Sequence, residues 1–172
     1  MLPAFHGQDS IFDMHPTSLT VLLVLCRSNP TMAAFSPSVY WHICRQAFRK
    51  SQIILLVFYP GDDTPVCSNQ LCDYRDNLSV FSDLDVDVLA INTQGLESHE
   101  RFSKKHDLPF PLLADSDKQV CRSYGAIGLL GTTKRMIVLI DRAGRIRWRC
   151  TDLPIFRRTA EEIREVIEDL DL

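Results

Sequence analysis

The chain has 172 residues, 45% hydrophobic and 24% charged, with a formal net charge of −3, the balance of one ordinary folded domain. That composition excludes a wholly disordered chain, a collagen-like repeat and a strongly basic nucleic-acid binder. No apolar run approaches the roughly 20 residues a membrane-spanning helix needs, so neither a membrane nor a nucleic-acid partner is expected.

Residues 1–47 show little periodicity, and their one apolar run is Leu19–Cys26 (LTVLLVLC). Export is not expected, because Asp9 and Asp13 precede that run where a signal peptide carries Lys or Arg, and Leu25 is too large for its cleavage site. From Ser51 onward the elements alternate cleanly. Ile53–Tyr59 (IILLVFY) reads as a strand buried on both faces and stopped by Pro60-Gly61. Pro65 to about Phe81 reads as a helix, with Thr64 as cap and Pro65 at its first position. Val86–Asn92 is a second strand, Glu97–Asp107 a polar helix and Asp117–Tyr124 a short helix. Met136–Asp141 is a third strand that turns at Ala143-Gly144 into Ile146–Cys150. Thr159–Leu170 closes the chain as an amphipathic helix, with Thr159 and Glu162 placed for a capping box and Ile163, Val166, Ile167 and Leu170 on one stripe. The order predicts an α/β fold with a central mixed sheet flanked by helices.

Six cysteines (26, 44, 67, 72, 121 and 150) are too few and too scattered for a disulfide scaffold. They suit a reduced compartment, cytoplasm or organelle stroma, and a single redox or metal site. Zinc is disfavoured: no second Cys pair or His pair lies at ligand spacing, and His42 with Cys44 is a weak candidate. No metal or cofactor is expected.

The informative segment is FYPGDDTPVCSNQLC, Phe58–Cys72. Cys67 falls in the first turn of a helix that follows a buried strand. Backbone N–H groups and the positive end of the helix dipole meet there, and both favour a thiolate. Cys67 is therefore a candidate nucleophile, against the alternative of a small buried hydrophobe. Cys72 stands five residues on, about 140° around the helix and about 7.5 Å along it. The two sulfurs then point to different faces and cannot bond while the helix is intact. If they form a redox pair, a turn must unravel; otherwise Cys72 faces the core and is inert.

Pro60, Thr64 and Cys67 stand at Pro-x3-Thr-x2-Cys spacing, with Cys72 five residues later, and are followed by CDYRDN, DVLAIN, FPLLADSD and VLIDRAGRI. From about Phe48 to the C-terminus the chain resembles the peroxiredoxins of the bacterioferritin-comigratory (PrxQ) group. The resemblance implies a thioredoxin-like fold over 48–172, with 1–47 an atypical segment, disordered or packed on the domain, since it lacks the strand, hairpin and short helix that open family members. It implies a thiol-dependent peroxidase that reduces hydrogen peroxide and alkyl hydroperoxides through a sulfenic acid on Cys67. In that reaction Thr64 would hydrogen-bond sulfur and peroxide, Pro60 would shield the sulfur, and backbone N–H groups around Val66 and Cys67 would donate to the oxygens. Arg135 would stabilise the charge, Gln70 would hold Arg135, and Cys72 would resolve the sulfenic acid as a disulfide. Thioredoxin or a similar dithiol would then reduce that disulfide, and with both cysteines in one helix a monomer is expected. The alternatives are a thioredoxin-fold disulfide-exchange protein without peroxidase activity, or a non-enzymatic copy lacking the N-terminal strands. Elsewhere, Asp62, Asp63, His99 and His106 are expected in solvent. Phe110 and Tyr124 are expected in the core, Cys121 and Cys150 buried and inert, and Trp148 against the helices. Arg142, Arg145, Arg147 and Arg149 are expected to form a solvated face.

Overall fold

The computed structural model describes residues 53–172 apart from 144 and 154; the expectations for residues 1–47 lie outside the described residues. In chain order the elements are β1 (Ile53–Phe58), α1 (Pro65–Asp76), α2 (Leu78–Asp83), β2 (Val86–Asn92), α3 (Leu96–His106), β3 (Leu112–Ala114), α4 (Gln119–Ser123), β4 (Arg135–Ile140), β5 (Ile146–Asp152) and α5 (Ala160–Asp169). The strands form one sheet in the order β3-β2-β1-β4-β5. β1 pairs in parallel with β2 and β2 with β3, whereas β4 runs antiparallel to both β1 and β5. The sheet is mixed, as the order of elements implies. Among the described residues no helix is long and apolar enough to cross a membrane.

The unbroken apolar run of β1 follows from its central place. Alternate residues point to opposite faces, and both faces are covered. Ile53, Leu55, Val57 and Tyr59 join Leu71 and Tyr74 of α1, Phe102 of α3 and Ile163 and Ile167 of α5 in one core. Ile54, Leu56 and Phe58 join Val120 and Cys121 of α4 and Tyr124 in the other. Phe110 and Tyr124 are buried as expected, and Trp148 packs half-buried on the first core. Cys121 is buried, and burial beside the Asp115 carboxylate pushes its thiol well up.

Four details differ from the sequence reading. The helix from Pro65 stops at Asp76, and α2 restarts it at Leu78. Asn77 marks the break: its backbone N–H closes the last helical bond to the Asp73 carbonyl at 3.0 Å, and its side-chain amide donates to the same oxygen at 2.9 Å, the local side-chain bond by which Asn competes with helix continuation. β3 is unexpected, because three residues are too short to show periodicity and pairing with β2 defines the strand. Cys150 is half-buried, with Asp152 and Arg158 each 3.5 Å from its sulfur. On the arginine face, Arg145 and Arg147 are not merely solvated but pair with the Asp141 carboxylate at 3.0 and 3.3 Å.

The capping box of α5 is complete. Glu162 N–H donates to Thr159 Oγ1 at 3.2 Å, and Thr159 N–H donates to Glu162 Oε2 at 2.8 Å. Thr159→Ala is expected to cost about 1 kcal/mol, read as a lower urea midpoint with an unchanged denaturant slope.

Candidate active site

β1 ends beside the start of β4, where Phe58 stands opposite Met136. The chain then crosses Pro60, Gly61, Asp62 and Asp63 to Thr64, the N-cap of α1. Cys67 is the third residue of that helix and is fully buried. The first helical bond runs from Ser68 N–H to the Thr64 carbonyl at 2.9 Å. The N–H groups of Val66 and Cys67 therefore precede the helical ladder, where a helix presents donors to a ligand. Arg135 opens β4 and is only 2% exposed. Its Nη2 donates to Cys67 Sγ at 3.2 Å, and its Nη1 donates to Gln70 Oε1. Gln70 is buried and donates from Nε2 to the Tyr74 hydroxyl at 3.0 Å. A guanidinium has no acceptor atom, so the sulfur must accept, and the fixed positive charge favours a sulfur that carries negative charge.

Thr64 is a correction. It occupies the N-cap position without a side-chain cap bond, and its hydroxyl is not on the sulfur: it donates to the Gly61 carbonyl at 3.2 Å. Pro60 is half-buried at the end of β1, and Val66 is half-buried next to Cys67.

Asp62 and His99 are larger corrections, since both are buried. The loop folds back over the end of β2, and α3 closes it from the other side. Asp62 accepts from the Tyr59 hydroxyl at 2.8 Å, Asn92 Nδ2 at 3.0 Å and Ser98 Oγ at 2.6 Å. It pairs with His99 Nδ1 at 2.9 Å, and His99 Nε2 lies 3.3 Å from the Leu113 carbonyl. Burial pushes the Asp62 carboxyl up, but hydrogen bonds from His99, Ser98 and Tyr59 and the charge of His99 outweigh it, holding the carboxyl below its usual range. Asp63 is exposed, as expected, and meets Lys105 at 2.6 Å.

Cys67 and Cys72 are both free cysteines on an intact helix. Cys72 is half-buried, 3.5 Å from His106 Nδ1. His106 is also half-buried rather than in solvent, because the last turn of α3 packs on α1. Its ring stands edge-on to Phe102 at 4.8 Å, and its carbonyl accepts from Arg75. The missed residues are thus Asp62, His99, His106 and Tyr74. One signal for the histidines was available: His99, Phe102 and His106 share a helix face at i, i+3 and i+7. Among the described residues no group of three or more His, Cys, Asp or Glu is disposed to hold a metal ion.

The Asp62 carboxylate is the common acceptor for Tyr59, Asn92, Ser98 and His99, and hydrogen bonds to a buried charged group weaken when that charge is removed. Asp62→Asn is therefore expected to cost about 2 kcal/mol at neutral pH. A carboxyl lowered in the folded state stabilises above its unfolded pKa, and that contribution is lost as pH falls through the folded value. The gap in unfolding free energy between the two proteins is accordingly full above about pH 5 and narrows below about pH 4, as urea melts at several pH values would show.

Residues 42–149 match the model of the AhpC/TSA family. Peroxiredoxin Bcp of Escherichia coli is 40% identical over 104 residues, 56% of this chain and 67% of its own. Peroxiredoxin Bcp of Bacillus subtilis is 34% identical over 109 residues, 58% and 69% of the two chains. The chain spans about half to two thirds of the length of the curated relatives it matches. Among solved structures, a cysteine-to-serine mutant of Xylella fastidiosa PrxQ superposes with a TM-score of 0.65 at 26% identity, over 71% of this chain and 79% of that one. The reduced 2-Cys peroxiredoxin of Plasmodium vivax, at 24% identity over 70% and 77% of the chains and a TM-score of 0.66, supports the thioredoxin-like peroxiredoxin fold. A buried cysteine at a helix start, an arginine on its sulfur and a family match over most of the chain lead to one conclusion: the chain belongs to the AhpC/TSA family, among relatives named as peroxiredoxins of the Bcp and PrxQ kind.

Proposed function

We propose that the chain is a thiol-dependent peroxidase that reduces hydrogen peroxide and alkyl hydroperoxides. The observation that carries this reading is the buried Arg135 guanidinium donating to the buried Cys67 sulfur at 3.2 Å. Cys67 attacks one peroxide oxygen as the thiolate. The O–O bond breaks, Cys67 becomes a sulfenic acid, and the departing oxygen takes a proton to leave as water or an alcohol. Charge builds on the oxygens as this happens, and the N–H groups of Val66 and Cys67 stand ready to donate to them. Arg135 offsets the charge on the sulfur, and Gln70 fixes the direction of its fork. The hydrogen of Thr64 Oγ1 is directed at Gly61, so the role we assign to Thr64 is to accept the O–H of the peroxide. Pro60 limits access of water to the sulfur.

Cys72 then attacks the sulfenic sulfur, forming a Cys67–Cys72 disulfide and releasing water. The helical spacing requires the first turns of α1 to open for this step. Thioredoxin or a similar dithiol restores both thiols by exchange. The proposal includes a monomer working in a reduced compartment, cytoplasm or stroma.

One equivalent of hydrogen peroxide added to the reduced protein is expected to remove two hydrogens, located by peptide mass mapping as a Cys67–Cys72 link. Cys67→Ser abolishes peroxide consumption. Cys72→Ser retains the first oxidation and stops at one added oxygen on Cys67. Normal turnover by Cys67→Ser would overturn the proposal. Arg135→Met should lower the second-order rate of Cys67 oxidation about 10²-fold or more, the size expected for losing a charge-stabilising donor, as competition kinetics against a reference peroxidase would measure.

A further inference from the structure

The packing of α3 on α1 sets the His106 imidazole against the second cysteine of the motif. His106 ends α3, and its Nδ1 lies 3.5 Å from the half-buried sulfur of Cys72. Its other ring nitrogen, Nε2, is buried and has no hydrogen-bond partner. An imidazole kept for structure satisfies both nitrogens when buried. Here one nitrogen meets a thiol and the other meets nothing, with the Phe102 ring against the imidazole. The charged groups around the pair are few. From α1 come Arg75, which donates to the His106 carbonyl and whose charge also acts on Cys72, and its partner Asp76 at 2.8 Å. From α3 and its cap come Lys105, paired with Asp63, and Asp107, which lies within the field of Arg75. The contact between the sulfur and Nδ1 is direct, at 3.5 Å.

We propose that His106 is the catalytic base of the resolving step, taking the proton of Cys72 so that this cysteine reacts as a thiolate. The inference rests on the reading of Cys72 as the resolving cysteine. A thiolate, not a thiol, is the nucleophile in disulfide formation. While α1 is still helical, Cys72 Sγ–H gives its proton to His106 Nδ1. The Cys72 thiolate attacks the sulfur of the Cys67 sulfenic acid, the S–S bond forms and the S–O bond breaks. Hydroxide departs and takes a proton to become water, while the imidazolium returns its own to solvent. Cys72 is oxidised and the sulfenic sulfur is reduced, so no outside oxidant is needed.

The test uses the full chain and two readouts. Rapid mixing with peroxide, quenching with an alkylating agent and intact-mass analysis separates sulfenic acid formation from disulfide formation. In His106→Gln the first rate should stay within about twofold of wild type, while disulfide formation at pH 7 slows about tenfold or more. His106→Phe, which keeps an aromatic ring against Phe102, should behave alike and guards against a folding defect of the first variant. In a Cys67→Ser background, alkylation of Cys72 by iodoacetamide is followed against pH by peptide mapping. Loss of His106 should move the midpoint of that profile upward. A residue that only holds the helices together would change the rate equally at every pH and leave the midpoint in place. An unchanged midpoint in both His106 variants would overturn the proposal. Absence of any Cys67–Cys72 link in oxidised wild type would instead overturn the resolving role of Cys72, and the alkylation profile would still report on the pair.

Discussion

The contact from Arg135 to Cys67 organises the rest of the structure. A guanidinium this deeply buried must have its donors met. Cys67 and Gln70 meet two of them from neighbouring positions on α1, because residues three apart share a helix face. The antiparallel register of β4 against β1 brings Arg135 to the sheet end at which β1 releases the chain. Strand, loop, helix start and guanidinium thus converge on one sulfur. Tyr74 completes the arrangement from the next turn of α1: its hydroxyl accepts from Gln70, and its ring packs edge-on to Phe81 at 5.4 Å.

A second buried charge fixes the loop from behind. Between Pro60 and Thr64 the chain makes few backbone hydrogen bonds of its own, and Asp62 supplies anchors instead, to Tyr59, Asn92, Ser98 and His99. These partners come from the end of β1, the end of β2 and the first turn of α3. The loop is therefore tied to both neighbouring strand ends, and the Thr64 hydroxyl turns back to Gly61 and does not cap the helix. Preorganisation of this kind needs no movement at the moment charge develops.

Much of this was legible in the sequence. The long apolar run of β1, the Pro at the start of α1 and the Thr159–Glu162 box each encode their structure within a few residues, and each stands where the pattern puts it. The positions of Cys67, Gln70 and Arg135 followed from motif and resemblance, and the fold brings them together. What the sequence hid were partnerships over long separations. Asp62 looks like any turn aspartate until α3 closes over it, and the polar composition of α3 disguises the His99, Phe102 and His106 face that it buries. β3 is invisible for the same reason: its three residues become a strand only by pairing with β2. The break at Asn77 was local and readable, since an Asn able to bond back to the Asp73 carbonyl is a recognised competitor of helix continuation.

The anchoring of α1 is uneven, and this bears on how two cysteines five residues apart could meet. Its C-terminal half is pinned: Asp73 accepts from Ala160 N–H at 2.8 Å and faces Arg157 at 3.7 Å, while Leu71 and Tyr74 sit in the core. Its first turn begins with a proline that donates no hydrogen bond, has no side-chain cap bond, and is held chiefly through Cys67 and its arginine. Local opening follows the segments with the fewest buried contacts, so on the proposed chemistry the first turn is the part to yield. Oxidation would itself favour that. A neutral sulfenic acid attracts the guanidinium less than a thiolate does, and the Arg135 contact that holds the turn down weakens at the step after which the turn must move.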